Sequence, residues 1–186
     1  MSAPVIAVVL AHPDDESFPV GGTLAKYSSE GVQVDLIMAA RGEAGIPGRT
    51  AEEAAVIHEA ELHKACEELQ ELLDALAQRD PPSQVQLIRN ELPTIDLPDS
   101  SVDLSWAAFV YHEMESDVLA AELRRVVRPN GQVAILDWRP DGKTDSEPPA
   151  EHRVWPEQVK QALYQAGFAQ VSETWRDSEA YLIEAK

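Results

Sequence analysis

The sequence predicts an α/β fold: a three-layer sandwich around a mostly parallel seven-stranded sheet, order 3-2-1-4-5-7-6, with an antiparallel C-terminal strand. Three observations carry that expectation. Val5 to Leu10 is an unbroken apolar run, the pattern of a strand buried on both faces of a parallel sheet. Strand-like and helix-like segments then alternate, and parallel strands need right-handed crossovers between them. The chain closes on two strand-like segments, Val171 to Trp175 and Ala180 to Glu184, near enough in sequence for a hairpin. Together they describe a doubly wound, Rossmann-like sandwich. No internal repeat or linker separates two domains, so a single domain over residues 1–186 is expected, and this length suffices for one well-buried core.

The elements follow in order. After the first strand, Gly21 to Tyr27 is helical and stops near Gly31. Val32 to Ala40 is the second strand, followed by a polar loop, Arg41 to Thr50, with three glycines. A long helix runs from Ala51 to about Arg79. Leu62, Ala65, Cys66, Leu69, Leu72, Leu73 and Leu76 recur on it at steps of three and four. Pro81-Pro82 ends that helix. Val85 to Ile88 is the third strand, Asp103 to Val110 the fourth and Val133 to Trp138 the fifth, with a helix over Asp117 to Arg128 and a turn at Pro129-Asn130-Gly131. Arg139 to Arg153 is a charged, proline-containing loop too polar for the core. Pro156 to Gln165 is a helix capped by Gly167.

Composition excludes several classes. The chain is 44% hydrophobic and 26% charged, which is globular. Its net charge of −18 and lack of a basic patch argue against nucleic acid and against an anionic membrane surface. No apolar run reaches the roughly 18 residues of a membrane span. No basic, apolar leader opens the chain, so a cytoplasmic location is expected. The lone Cys66 excludes an internal disulfide and suits a small core residue. The partner expected is a small molecule at most; the oligomeric state is open.

In doubly wound sheets, ligands sit beyond the carboxyl ends of the strands. "AHPDDE", Ala11 to Glu16, lies there after the first strand. A hydrolytic zinc site needs about three protein ligands and one open position. His12 and Asp15 offer two, leaving Asp14 to act as general base on a water. So dense an acid cluster repels itself unless a cation is present. A second reading stays open: a solvated loop whose Asp or Ser caps the helix at Gly21.

The loop and its continuation make a resemblance specific. "AHPDDE", "GGTLAKYSSEG", "RGEAG" and "EAAVIHEAELHKACEEL" resemble the zinc-dependent N-acetylglucosaminyl deacetylases (PIG-L, or LmbE-like). The likeness runs from about residue 4 to residue 69. It implies His12 and Asp15 as zinc ligands and Asp14 as the base. It also implies a third ligand from a histidine near the end of strand four, where this chain has His112. His58 stands where that family usually has arginine.

From about residue 70 the text resembles a class I S-adenosylmethionine-dependent methyltransferase. "RRVVRPNGQVAILDW" and "EHRVWPEQVKQALYQAGF" carry that likeness. The methyltransferase pattern fails at the cofactor. "AHPDDE" replaces the glycine loop that admits the methionine end, and Ala39-Ala40-Arg41 replaces the acid for the ribose hydroxyls. Asn90 and Glu91 alone remain from the adenine side, so S-adenosylmethionine is not expected to bind. The deacetylase's substrate-binding C-terminal part is absent as well.

The sequence is therefore read as an engineered or recombined chimera, joined near residues 67 to 80, that retains a metal-binding loop without efficient catalysis. A zinc-dependent N-acetyl-sugar deacetylase is the alternative, and a methyltransferase-like binding module the second alternative. His112 completes the metal site only if it reaches it, and Glu113 is either a helper or a helix N-terminal acid. His58 is expected to be partly buried, His152 solvated, and the four tryptophans core or rim.

Overall fold

A computed structural model of the chain describes residues 4–12, 20–39, 46, 48–76, 84–89, 94–143 and 148–186. The chain divides into two compact units, Met1–Leu92 and Pro93–Lys186.

The first unit is built on β1 (Val5–Leu10), β2 (Gln33–Met38) and β3 (Gln84–Arg89), in the order β3-β2-β1. Both pairings are parallel, with Val8 opposite Leu36 and Leu36 opposite Leu87. Ala7, Val8, Val9 and Leu10 are all fully buried, as the unbroken apolar run requires of a strand covered on both faces. The crossovers are α1 (Gly21–Ser29) and α2 (Ala51–Leu76). Gly31, at φ 81°, takes the left-handed conformation that ends α1. A capping box opens α2: the Thr50 hydroxyl accepts the Glu53 amide at 3.2 Å, and Glu53 accepts the Thr50 amide at 3.0 Å. That bond holds the Glu53 carboxyl below its ordinary range. The side chains of the Cys66 stripe on α2 lie outside the described residues, as does most of the Arg41 to Thr50 loop.

The second unit holds β4 (Val102–Ala108), α3 (Ser116–Val126), β5 (Val127–Trp138), α4 (Pro156–Gln165), β6 (Val171–Arg176) and β7 (Ala180–Ala185). Its strand order is β4-β5-β7-β6. β4 and β5 are parallel, whereas β7 is antiparallel to both β5 and β6. Leu119 and Leu123 of α3, Val159 and Leu163 of α4, and Ile135 and Ile183 of the sheet are fully buried. Two buried tyrosines serve as neutral donors. Tyr111 donates to the Ser116 carbonyl at 2.6 Å, Tyr181 donates to that of Val154 at 2.9 Å, and burial pushes both phenols well above their usual range.

The α/β class, the mostly parallel pairing and the antiparallel C-terminal strand are those the sequence predicts, and each unit's strand order matches its stretch of the predicted order. Two readings need correction. Pro129-Asn130-Gly131 is not a turn ahead of the strand but lies inside β5. Val127 already pairs with Val102; the register then shifts and resumes at Gln132 opposite Leu104, so Arg128 and the three residues after it form a bulge opposite Asp103, with Asn130 at φ 69°. The Arg139 to Arg153 loop also contributes to the interior. Arg153 is buried because its guanidinium finds carbonyl acceptors, donating to Pro148 at 2.9 Å and to Arg139 at 3.2 Å.

Candidate functional site

His12 directly follows β1 and is exposed at the strand's carboxyl end, where the sequence places it. Asp14 and Asp15 lie outside the described residues, and so do Asn90 and Glu91. The aspartates and Ser17 that the capping alternative needs also lie outside the described residues; Val20 stands at the N-cap of α1. Among the described residues, no group of three or more histidine, cysteine, aspartate or glutamate side chains is placed to hold a metal ion.

His112 is the predicted residue whose surroundings are most fully built. It lies in a single 3₁₀ turn, Tyr111–Glu113, beyond the carboxyl end of β4. Phe109 makes the exit from the strand in the left-handed region, at φ 53°, and its amide donates to the Leu136 carbonyl at 2.8 Å. Such a conformation costs a bulky residue about 1–3 kcal/mol. The Phe109 ring stacks on Trp138, centroids 4.4 Å apart, which offsets part of that cost.

The turn is organised by Asp137 of β5, a residue the sequence reading did not single out. Asp137 is fully buried. One carboxylate oxygen accepts the backbone amides of Tyr111 at 2.8 Å and His112 at 3.2 Å. The other accepts the Trp138 amide at 2.7 Å and faces His112 Nδ1 at 2.8 Å. A carboxylate only accepts, so the ring nitrogen donates and His112 Nε2 points away from Asp137. Glu113 Oε1 lies 3.3 Å from that Nε2. The His112 side chain is 5% exposed and that of Glu113 44%, so the pair sits at the surface with its imidazole held from below. The signal that could have found Asp137 is its place in "ILDW": an acid at the end of an otherwise apolar strand must have its charge satisfied.

The remaining histidines lie elsewhere. His58 on α2 is half-buried, with Nδ1 3.8 Å from Glu61, and His152 is exposed. Trp155 and Trp175 are exposed rim residues, whereas Trp106 and Trp138 are intermediate.

In open α/β sheets ligands bind beyond the carboxyl ends of the strands, and His12 and His112 each follow such an end in their own unit. The family model described as "PIG-L: GlcNAc-PI de-N-acetylase" matches residues 7–163, and the chain belongs to that family. Curated relatives add local identity. The 1D-myo-inositol 2-acetamido-2-deoxy-alpha-D-glucopyranoside deacetylase of Actinosynnema mirum is 50% identical over 42 residues, 23% of this chain and 15% of the relative. That of Mycobacteroides abscessus is 50% identical over 40 residues, 22% of this chain and 14% of the relative. The matched stretch is thus a small part of those proteins.

Solved structures similar in fold are methyltransferases. A SAM-dependent methyltransferase from Aquifex aeolicus superposes with a TM-score of 0.64 at 24% identity, covering 96% of this chain and 80% of that one. The CurJ carbon methyltransferase gives 0.66 at 12% identity, over 99% of this chain and 48% of that one. At such identities the likeness concerns the fold.

Proposed function

We propose that this chain hydrolyses the amide of a 2-acetamido-2-deoxy sugar through a zinc ion bound at the His12–Asp15 loop. Membership of the de-N-acetylase family, matched over residues 7–163, is the observation that carries this reading. The residue chemistry agrees with it. An imidazole and carboxylates on one short loop form a donor set suited to zinc, and His12 is exposed where an ion can reach it.

By that resemblance His12 and Asp15 would hold the ion; His112, the downstream ligand that the resemblance implies, lies in the second unit. A bound zinc supplies Lewis-acid polarisation of the amide carbonyl and acidifies water. Asp14 removes the proton from the attacking water and returns one to the leaving amine. The overall acidity of the chain, net charge −18, favours cations over anionic substrates.

A second reading is a recombined or engineered chimera that keeps the loop but catalyses poorly. The short span of the relatives' identity favours it, as does the methyltransferase-like fold over nearly the whole chain. Zinc content and acetate release from an N-acetylglucosamine derivative test both readings. The deacetylase reading expects about one zinc per chain, lost in His12→Ala. It also expects acetate release that chelator and Asp14→Asn abolish. Bound zinc without acetate release favours the chimera. Absence of zinc overturns the proposal.

A further inference from the structure

We infer that the stacked rings of Phe109 and Trp138 form a saccharide-binding platform in the second unit, against which the apolar face of a 2-acetamido-2-deoxy pyranose lies. The choice of ligand rests on the deacetylase reading above; the platform itself uses neither the His12–Asp15 loop nor a metal.

Three observations carry it. First, the pair stands where ligands enter such sheets: Phe109 directly follows β4 and Trp138 ends β5, both at the carboxyl ends of parallel strands. Second, Trp138 lies on the side of the sheet that this unit's described helices leave open. α3 packs against α4, so both helices lie on one face. The fully buried Ile135 and Asp137 alternate along β5 with the half-buried Leu136 and Trp138, which puts Trp138 on the other face. Its cross-strand neighbour there is Ala180, too short to cover an indole, and Leu136 pairs with Leu182 to continue an apolar floor. Third, Phe109 holds its half-buried ring in place under strain. Its φ of 53° suits glycine or asparagine, and its amide is fixed to the Leu136 carbonyl at 2.8 Å. Strain of this kind at a strand end points to function. The ring centroids are 4.4 Å apart and the planes 30° apart, so each ring spends one face on the other and a third ring can continue the stack. A β-linked 2-acetamido-2-deoxyglucoside supplies one: its axial C–H groups on carbons one, three and five make a flat apolar face that gains dispersion contact on an aromatic plane. A neutral sugar also escapes the repulsion that a net charge of −18 imposes on anions.

The test uses the full chain carrying Asp14→Asn, with chelator present, so that neither turnover nor a metal contributes. The probe is methyl N-acetyl-β-D-glucosaminide, followed by saturation transfer from protein to ligand protons and by titration. Binding at about 1 mM is expected, with saturation strongest on the ring protons of carbons one, three and five. Trp138→Leu keeps apolar bulk without the indole, and Phe109→Asn keeps the left-handed backbone without the ring. Each is expected to weaken binding about tenfold. Trp155→Leu and Trp175→Leu change exposed tryptophans elsewhere in the unit and are expected to bind as before. Phe109→Asn relieves backbone strain and is informative even if Trp138→Leu fails to fold. No saturation transfer at about 20 mM probe, saturation confined to the acetamide methyl, undiminished affinity in Phe109→Asn or Trp138→Leu, or a loss caused instead by Trp155→Leu or Trp175→Leu each overturns the inference. Acetate release from the unsubstituted chain with zinc decides the deacetylase reading separately: sugar binding without hydrolysis keeps the platform and overturns that reading, and hydrolysis with affinity unmoved by Trp138→Leu does the reverse.

Discussion

Arg125 and Glu122, one turn apart on α3, grip the loop that enters β4. The guanidinium donates to Glu122 at 2.7 Å, to Asp99 at 2.7 Å, and to the carbonyls of Ile95 and Leu97 at 2.7 and 2.8 Å. Glu122 in turn accepts the Ile95 amide at 2.9 Å. A segment with little regular structure of its own thereby has its backbone groups satisfied by two side chains.

Arg125→Ala is expected to lower unfolding free energy by about 2 kcal/mol, because it leaves two part-buried carbonyls and a carboxylate without their charged donor. Urea denaturation of the variant measures this; a loss below about 0.5 kcal/mol would assign the grip to the surface class of ion pairs.

The same pair gives a pH dependence. Arg125 holds the Glu122 carboxyl below its ordinary range. A depressed folded-state pKa contributes stability above the unfolded value, about 4.3 for glutamate, and that contribution disappears as the pH falls through the folded value. The stability gap between the native chain and Glu122→Gln is therefore expected to be widest near neutrality and to shrink below about pH 4. Paired thermal melts across that range give the comparison.

Asp35 predicts the opposite sign. It is buried within β2, where desolvation raises its pKa although Gln33 donates to it at 2.9 Å. Burying the charged form is a penalty at neutral pH that protonation relieves. Asp35→Asn keeps an acceptor for Gln33 and removes the charge, so at pH 7 it is expected to be more stable by about 1 kcal/mol. The advantage should fade as the pH falls through the carboxylate range.

Two glycines separate conformational from steric demands. A Cβ at Gly131 would meet Val127 Cγ1 at 2.6 Å and the Asp103 carbonyl at 2.8 Å, inside the β5 bulge. Gly131→Ala is expected to cost about 1–3 kcal/mol. Gly22 is exposed in the first turn of α1, and a Cβ there meets nothing within 4 Å among the described residues. Gly22→Ala is expected to stabilise the protein by about 0.5–1 kcal/mol. Thermal shifts of the two variants should have opposite signs.

Much of the fold was legible because its signals are local. The apolar run at Val5 to Leu10, the glycines at Gly31 and Gly167 and the proline opening Pro156–Gln165 each act within a turn of their own position. The box formed by Thr50 and Glu53 was equally available to a reader of Thr-x-x-Glu. The bulge in β5 was not, because Pro129-Asn130-Gly131 has the composition of a turn and only pairing with β4 shows that the strand continues on both sides of it.

The sequence by itself determined the α/β class and the strand order within each unit, since periodicity and side-chain type are properties of short segments. Tertiary structure alone decided that Asp137, 25 residues from His112 along the chain, pairs with that histidine's Nδ1, and that Arg153 belongs inside. Both depend on which acceptors the folded backbone brings within about 3 Å of a donor. That geometry arises between segments distant in sequence, and no local pattern encodes it.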